Sequence, residues 1–419
     1  MRHVELTELT KLVQDEEELS SSREARYTCA KFRGDVEEWI RPDLWTKEQW
    51  TVALYVTLLL VSSTGERLIF KMAVDSMAPF RAVLLLLILF TSMIIHAAIA
   101  IGKRVIYKDS VVSNVFPHKK LFFMGLFDSI SFSGLVISAT GVSPTMTVIL
   151  MHANTPLIVL GSRYIFPDRQ YSATQKIGVA WIFVALLIGV SRPLLDVFGL
   201  LPRSGLSSPS ATFSSAVSSL VYVCSAAMQG LGALYKEKCI IDFAQPADVH
   251  IMSCWLFFYQ LLFALLGFPI LYVLQGISSD WVGYPITSFS ENFWDGLYCW
   301  LGQDPDPESS SYDTAHTSCR VLFWLIISYV ISTVIVLQCI DKVLATNNRV
   351  LGRSMAAAVL TSFLGAWIYA NTFSSNIQNP TIGVADFVSI LVLLTGMEVF
   401  GRDPDPDPEL VTSFSPSRA

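Results

Sequence analysis

The sequence predicts an all-α integral membrane protein with ten transmembrane helices arranged as two inverted five-helix repeats. Three observations carry this reading. Of 419 residues, 52% are hydrophobic and only 15% charged, an apolar share well above that of a water-soluble domain of this length. Ten apolar segments, each about 17 to 27 residues and long enough to cross a bilayer, follow one another along the chain. A short motif also recurs five spans apart.

Residues 1–49 are polar and hold an acidic run, Asp15 to Glu18, followed by Ser20 to Ser22. The stretch has no apolar core as a secretory signal would, and its acids are foreign to a transit peptide, so it is expected to be a cytosolic tail. Trp39, Trp45 and Trp50, interleaved with Arg41 and Lys47, predict an interfacial segment. The spans are placed at 50–70, 79–101, 121–140, 144–166, 174–190, 212–234, 248–274, 320–340, 350–370 and 381–400. The first repeat therefore covers 50–190 and the second 212–400, with far-side loops at 191–211 and 275–319 and a tail at 401–419. With the N-terminus in the cytosol, loops 102–120, 163–176, 235–247 and 341–349 hold 12 Lys plus Arg, and the opposite loops hold 3. That asymmetry follows the positive-inside rule and puts both termini in the cytosol. The net charge of −6 is spread over loops and tails, and no basic tract for nucleic acid is present.

The recurring motif is GERLIFK, Gly65 to Lys71, and GLGALYK, Gly230 to Lys236, each closing an apolar segment and followed by a proline, Pro79 or Pro246. An odd number of spans per repeat inserts the second copy upside down, the architecture of carriers that rock two bundles about a midplane site.

The fourth span, Ser143 to Phe166, carries His152, Asn154, Thr155 and Pro156 at its centre. Polar groups at mid-depth cost several kcal/mol in lipid if unpaired, so they should face a wet cavity or another helix. Pro156 also frees a backbone carbonyl one turn earlier. The plain alternative is a kinked packing helix. A charge at the bilayer centre costs at least about 2.5 kcal/mol, which makes Glu66, Arg67, Asp128, Arg353 and Asp386 candidates for a substrate cavity. Arg349 shares a face with Arg353 as a positive-inside residue, His96 is expected at the interface, and Glu398 is expected to snorkel. Gln229, Gln260 and Gln338 are read as hydrogen-bonding between helices.

In loop 275–319, Phe289, Phe293, Leu297 and Trp300 or Leu301 recur at helical spacing and predict an amphipathic helix lying in the interface. Cys299 and Cys319 are the two cysteines expected on that side. A disulfide between them and two free thiols are equally open from sequence. The Asp-Pro repeats at Asp304 to Pro307 and Asp403 to Pro408 receive no role.

There is no HExxH, P-loop, GxSxG or paired CxxC, and no metal-ligand spacing of Cys and His, so neither a metal nor a cofactor is expected. An intramembrane enzyme would need Asp128 and His152 to meet as acid and base. A receptor or scaffold would need the midplane polar groups to satisfy one another and leave no cavity.

GERLIFKMAV at the first helix, LFFMGLFDSIS with Asp128, HANTP, the long cysteine-bearing loop, CIDK and ADFVSIL occur in an order that resembles the chloroquine-resistance-transporter-like proteins of the drug/metabolite transporter superfamily, over about residues 50 to 400. The resemblance implies the drug/metabolite transporter fold and a monomeric carrier of a vacuolar, lysosome-like or plastid membrane. Its cargo would be cationic amino acids, peptides, amphipathic bases or glutathione-type thiols. By position, Arg67 matches the family's basic cavity residue, His152 and Asn154 match polar cavity positions, and Asp128, Arg353 and Asp386 fall near the permeation path. Glu66 beside Arg67 and a single possible disulfide depart from the best-known branch. The expected function is alternating-access transport of small polar or cationic metabolites coupled to protons carried by His152 or Asp128, with the lipid bilayer, substrate and protons as partners. An endolysosomal or vacuolar membrane is favoured, and glutathione and nucleotide-sugar transport are the alternatives.

Overall fold

The computed structural model describes residues 47–107, 116–167, 169–198, 209–243, 248–275, 286–303, 319–346, 348–372 and 384–401. The N-terminal tail, Arg349's side chain and both Asp-Pro repeats lie outside them. The chain divides into two compact units, Met1–Tyr55 and Val56–Ala419; of the first, only the opening turns of one helix are described. The helices are α1 (Lys47–Ser76), α2 (Arg81–Tyr107), α3 (His118–Ser138), α4 (Pro144–Leu150), α5 (Asn154–Ile165), α6 (Ala173–Val197), α7 (Pro209–Ile241), α8 (Val249–Gln275), α9 (Phe289–Trp300), α10 (Leu322–Thr346), α11 (Asn348–Thr372) and α12 (Val384–Phe400). Among the described residues, nine spans are long and apolar enough to cross a membrane, α4 and α5 forming one of them. The last helix, α12, has 17 residues and reaches about 25 Å.

Several helices run beyond their expected ends, the two motif-bearing ones among them. α1 and α7 each continue five residues past the motif lysine, from Lys71 to Ser76 and from Lys236 to Ile241. The motif therefore lies inside its helix instead of closing it, because its charged groups find partners within the bundle. The fourth span is interrupted by a 3₁₀ turn, Met151–Ala153, immediately before α5. Pro156 has no N–H to offer the carbonyl of His152, so the helical ladder breaks there.

The most extensive helix contact joins α6 to α12, and α2–α8, α3–α7, α3–α8, α5–α7, α6–α7 and α4–α11 follow. At α6–α12 the backbones touch. A Cβ on Gly178 would lie 2.6 Å from Phe400 N, and one on Gly396 would lie 2.8 Å from Ile182 N. Ser389 Oγ donates to Ala185 O at 2.7 Å in the same seam. Small residues permit this approach where no hydrophobic effect drives helices together.

We call the face on which α3 ends and α4 begins the far face, and the opposite one the near face. On the far face, buried Arg81 ties three helices together. Its Nη1 donates to Ile137 O at 2.6 Å and to Thr140 Oγ1, and its Nη2 donates to Gln275 O. α9 packs inward with Asn292, Gly296 and Cys299 buried, and Asn292 Nδ2 donates to Pro79 O at 3.1 Å. Phe289 and Phe293 stack edge-on against Phe268, whereas Trp294 and Tyr298 stay exposed. The expected amphipathic helix is thus present and capped onto the bundle by a polar anchor. Cys299 and Cys319 form a disulfide with a Cα–Cα distance of 4.7 Å, fastening α9 to the start of α10.

Gly396→Leu forces a branched side chain into backbone, which costs about 1–3 kcal/mol. The expected result is a lower thermal midpoint and a loss of the monodisperse peak on gel filtration in detergent, while Gly267→Ala, which meets nothing within 4 Å, leaves both unchanged.

Candidate functional site

The site starts from α1, where consecutive Glu66 and Arg67 point to different neighbours. Glu66 Oε1 accepts a hydrogen bond from Thr333 Oγ1 of α10 at 3.1 Å. Tyr329, one turn before Thr333, lies within the electrostatic reach of Glu66. Arg67 carries its charge toward Tyr222 of α7 and His152 at the 3₁₀ break. The structure therefore brings Glu66, Arg67 and His152 into one group. Tyr222, Tyr329 and Thr333, which sequence reasoning did not single out, complete it. Phe70 closes one flank, 5.6 Å from the Tyr329 ring and 6.2 Å from Phe132.

Three polar atoms in this region are buried without a hydrogen-bond partner: Arg67 Nη1, His152 Nε2 and Gln229 Oε1. Gln229 lies two turns after Tyr222 on the same face of α7. His152 itself is only 8% exposed. Native interiors pair nearly all such atoms, so three orphans near one mid-span break make this group the candidate site. The guanidinium offers a donor and positive charge, Glu66 an acceptor and negative charge, and the tyrosines an aromatic wall with hydroxyls.

Asn154 meets α7 through its backbone: a Cβ on Gly230 would lie 2.7 Å from Asn154 O. Its Oδ1 accepts from Thr155 Oγ1 at 3.2 Å. The GLGALYK glycine thus lets α7 cross directly over the break.

Asp128 belongs to a separate group nearer the near face. Its Oδ2 forms an ion pair with Lys236 of α7 and accepts from Gln260 Nε2 of α8 at 2.9 Å. This cavity candidate is a partnered carboxylate that joins three helices. Among the described residues its partners are Lys236 and Gln260, and no hydrogen bond joins it to His152. Arg353 is exposed on α11 and stands outside the Arg67 group. Asp386 is buried in the first turn of α12, where the helix dipole favours a carboxylate.

The same end of α7 carries two more ion pairs. Glu237 receives Arg169 Nη2 at 2.5 Å and Nη1 at 3.3 Å, and Asp242 pairs with Lys120 of α3 at 3.5 Å. The hydrogen bonds to Glu237 push the Arg169 guanidinium above its ordinary pKa against the cost of partial burial, and the Arg169 head also lies 4.7 Å over the Phe166 ring. On the far face, Lys71 Nζ donates to Asp75 Oδ1 and to Ala139 O, both at 2.7 Å, and Tyr369 OH of α11 donates to Asp75 Oδ2 at 3.3 Å. The Arg67 group lies between these two sets of ties.

Known proteins are similar to part of this sequence. Over 245 residues, 58% of this chain and 47% of the relative, it is 26% identical to Crt homolog 1 of Dictyostelium discoideum. It is 24% identical to the chloroquine resistance transporter of Toxoplasma gondii over 253 residues, 60% of this chain and 26% of that protein. The match therefore spans under half the length of either relative. Residues 52–400, which contain both groups of polar side chains and all of the described spans but the opening turn of the first, match the family CRT-like, chloroquine-resistance transporter-like, and the chain belongs to that family.

Proposed function

We propose that this integral membrane protein is a secondary active transporter that moves small polar or cationic metabolites, amino acids and peptides foremost, across an endolysosomal or vacuolar membrane by alternating access. The observation that carries the reading is the group of unpartnered buried atoms, Arg67 Nη1, His152 Nε2 and Gln229 Oε1, beside Glu66 at a mid-span helix break. Such a site suits a substrate with both charges: a carboxylate on Arg67, an ammonium toward Glu66 and Tyr329. Discontinuous helices at the midplane are where carriers place their substrates. The helix pairing supports the two-repeat reading, since spans two and seven, four and nine, and five and ten pack together. The relatives' names support transport. His152 is the group proposed to carry the coupling proton, since Asp128 is held by Lys236.

In proteoliposomes, labelled arginine should enter faster with an imposed pH gradient, and Arg67→Ala should cut that flux by about tenfold or more, the loss of one charge-assisted contact. Flux at the wild-type rate in Arg67→Ala would remove the site assignment. Gradient-driven uptake that survives His152→Ala, alone and with Asp128→Asn, would remove the coupling assignment. Glutathione flux in place of arginine flux would redirect the substrate class to thiols.

The near-face ties act as a latch on this reading. Lys236→Glu alone or Asp128→Lys alone sets like charges together. Lys236 is about a third exposed, so the expected loss is about 1–3 kcal/mol, below the range for fully buried pairs. The double swap should recover thermal stability in the same detergent, and a double mutant no better than either single would deny the pair.

A further inference from the structure

His96 of α2 and His250 of α8 form a second buried titratable pair, away from the Arg67 group. The first was expected at the interface, yet His96 is 3% and His250 6% exposed. Their Nδ1 atoms face each other at 3.4 Å, the ring centroids lie 5.5 Å apart, and Phe257 stands 5.4 Å from His96. The pair joins α2 to α8, one of the largest helix contacts in the molecule.

The chemistry of two facing Nδ1 atoms is restrictive. A hydrogen bond between them requires one to carry hydrogen and the other a lone pair. In the neutral pair the donating ring keeps a free lone pair on Nε2. One added proton binds there, leaving the Nδ1–H···Nδ1 bond intact as imidazolium to imidazole. A second added proton has only the accepting Nδ1 to bind. It breaks the bond and sets two N–H groups and two positive charges against each other inside the bundle.

The charged groups that bear on the rings are few. Lys103, exposed and two turns after His96 on α2, and Asp248 at the start of α8 act on His250. Asp248 Oδ1 accepts from the backbone N–H of His250 at 2.8 Å and of Ile251 at 3.3 Å, which fixes it at the helix start. Cys254 follows His250 by one turn. On α3, His118 engages Tyr259 OH at 3.2 Å and the Trp255 ring at 4.8 Å. The exposed Asp341 and Lys342 of α10 act on each other.

We propose that His96 and His250 form a proton-binding clasp: the pair takes one proton with the α2–α8 bond intact and releases the bond when it takes a second. The clasp does not depend on what the Arg67 group transports. In a carrier, it would make the packing of two helices from opposite halves responsive to acid on the near face.

The test uses the full chain in lipid nanodiscs, with thermal unfolding followed by tryptophan fluorescence from pH 8 to pH 5. The wild type should show an acid-side fall in midpoint of about 3 °C or more. His96→Gln and His250→Gln should each abolish that fall, because glutamine can accept from an imidazolium, and the double variant should behave like either single. Lys103→Gln removes a neighbouring cation from an exposed position, so the fall should move to higher pH. An acid fall of unchanged size and midpoint in either glutamine variant overturns the clasp. Should the glutamine variants fail to fold, Lys103→Gln decides: an unmoved midpoint overturns the proposal.

Discussion

A polar group held at lipid depth must find its partner within the protein, because hydrocarbon supplies none. That constraint organises the bundle. Arg81 is buried at the first turn of α2 because carbonyls from α3 and α8 and a hydroxyl converge on it. Asp128 is tolerated in α3 because Lys236 and Gln260 reach it from two other helices. Lys71 is held in the same way by Asp75 and a carbonyl at the end of α3. Each of these charges is also a joint, since its partners come from different helices and the bundle cannot loosen there without exposing it.

Against that background the Arg67 group is an exception with a local cause. The proline at position 156 takes a donor out of the backbone, a 3₁₀ turn absorbs the fault, and His152 sits in the turn. The guanidinium, the imidazole and the Gln229 amide each keep a buried polar atom without a hydrogen-bond partner. Each structural joint holds its charge by bonds to other parts of the bundle, whereas Arg67 Nη1, His152 Nε2 and Gln229 Oε1 have no hydrogen-bond partner, and that contrast, more than the presence of charge, singles out the candidate site.

Helix α7 connects the two. Over its 33 residues it carries Tyr222 and Gln229, crosses the break through Gly230, and closes with Lys236 and Glu237, Asp242 following at once, each paired with a different partner. A shift of α7 that opened the near-face ties would therefore also move Tyr222 and Gln229. α6 and α12, joined backbone to backbone, are the rigid counterpart.

The sequence by itself determined the class of protein and most of its spans, because apolar length is a local property and a bilayer has one thickness. It also marked Glu66, Arg67, His152 and Asn154, since polar residues amid apolar runs are conspicuous, and the break at Pro156, since a missing N–H acts on its own helix. Tyr222, Tyr329 and Thr333 were invisible: such residues are ordinary in membrane helices and gain meaning only from what faces them. The same reason explains Asp128, whose lysine lies over a hundred residues away, and His96, whose interfacial position in sequence hid a partner on α8. Arg353 points the other way, a charge whose depth suggested a cavity and whose helix turns it outward. Only the tertiary structure decided which charges are joints and which remain open, because pairing across helices depends on packing angle and close approach, and no single helix encodes either.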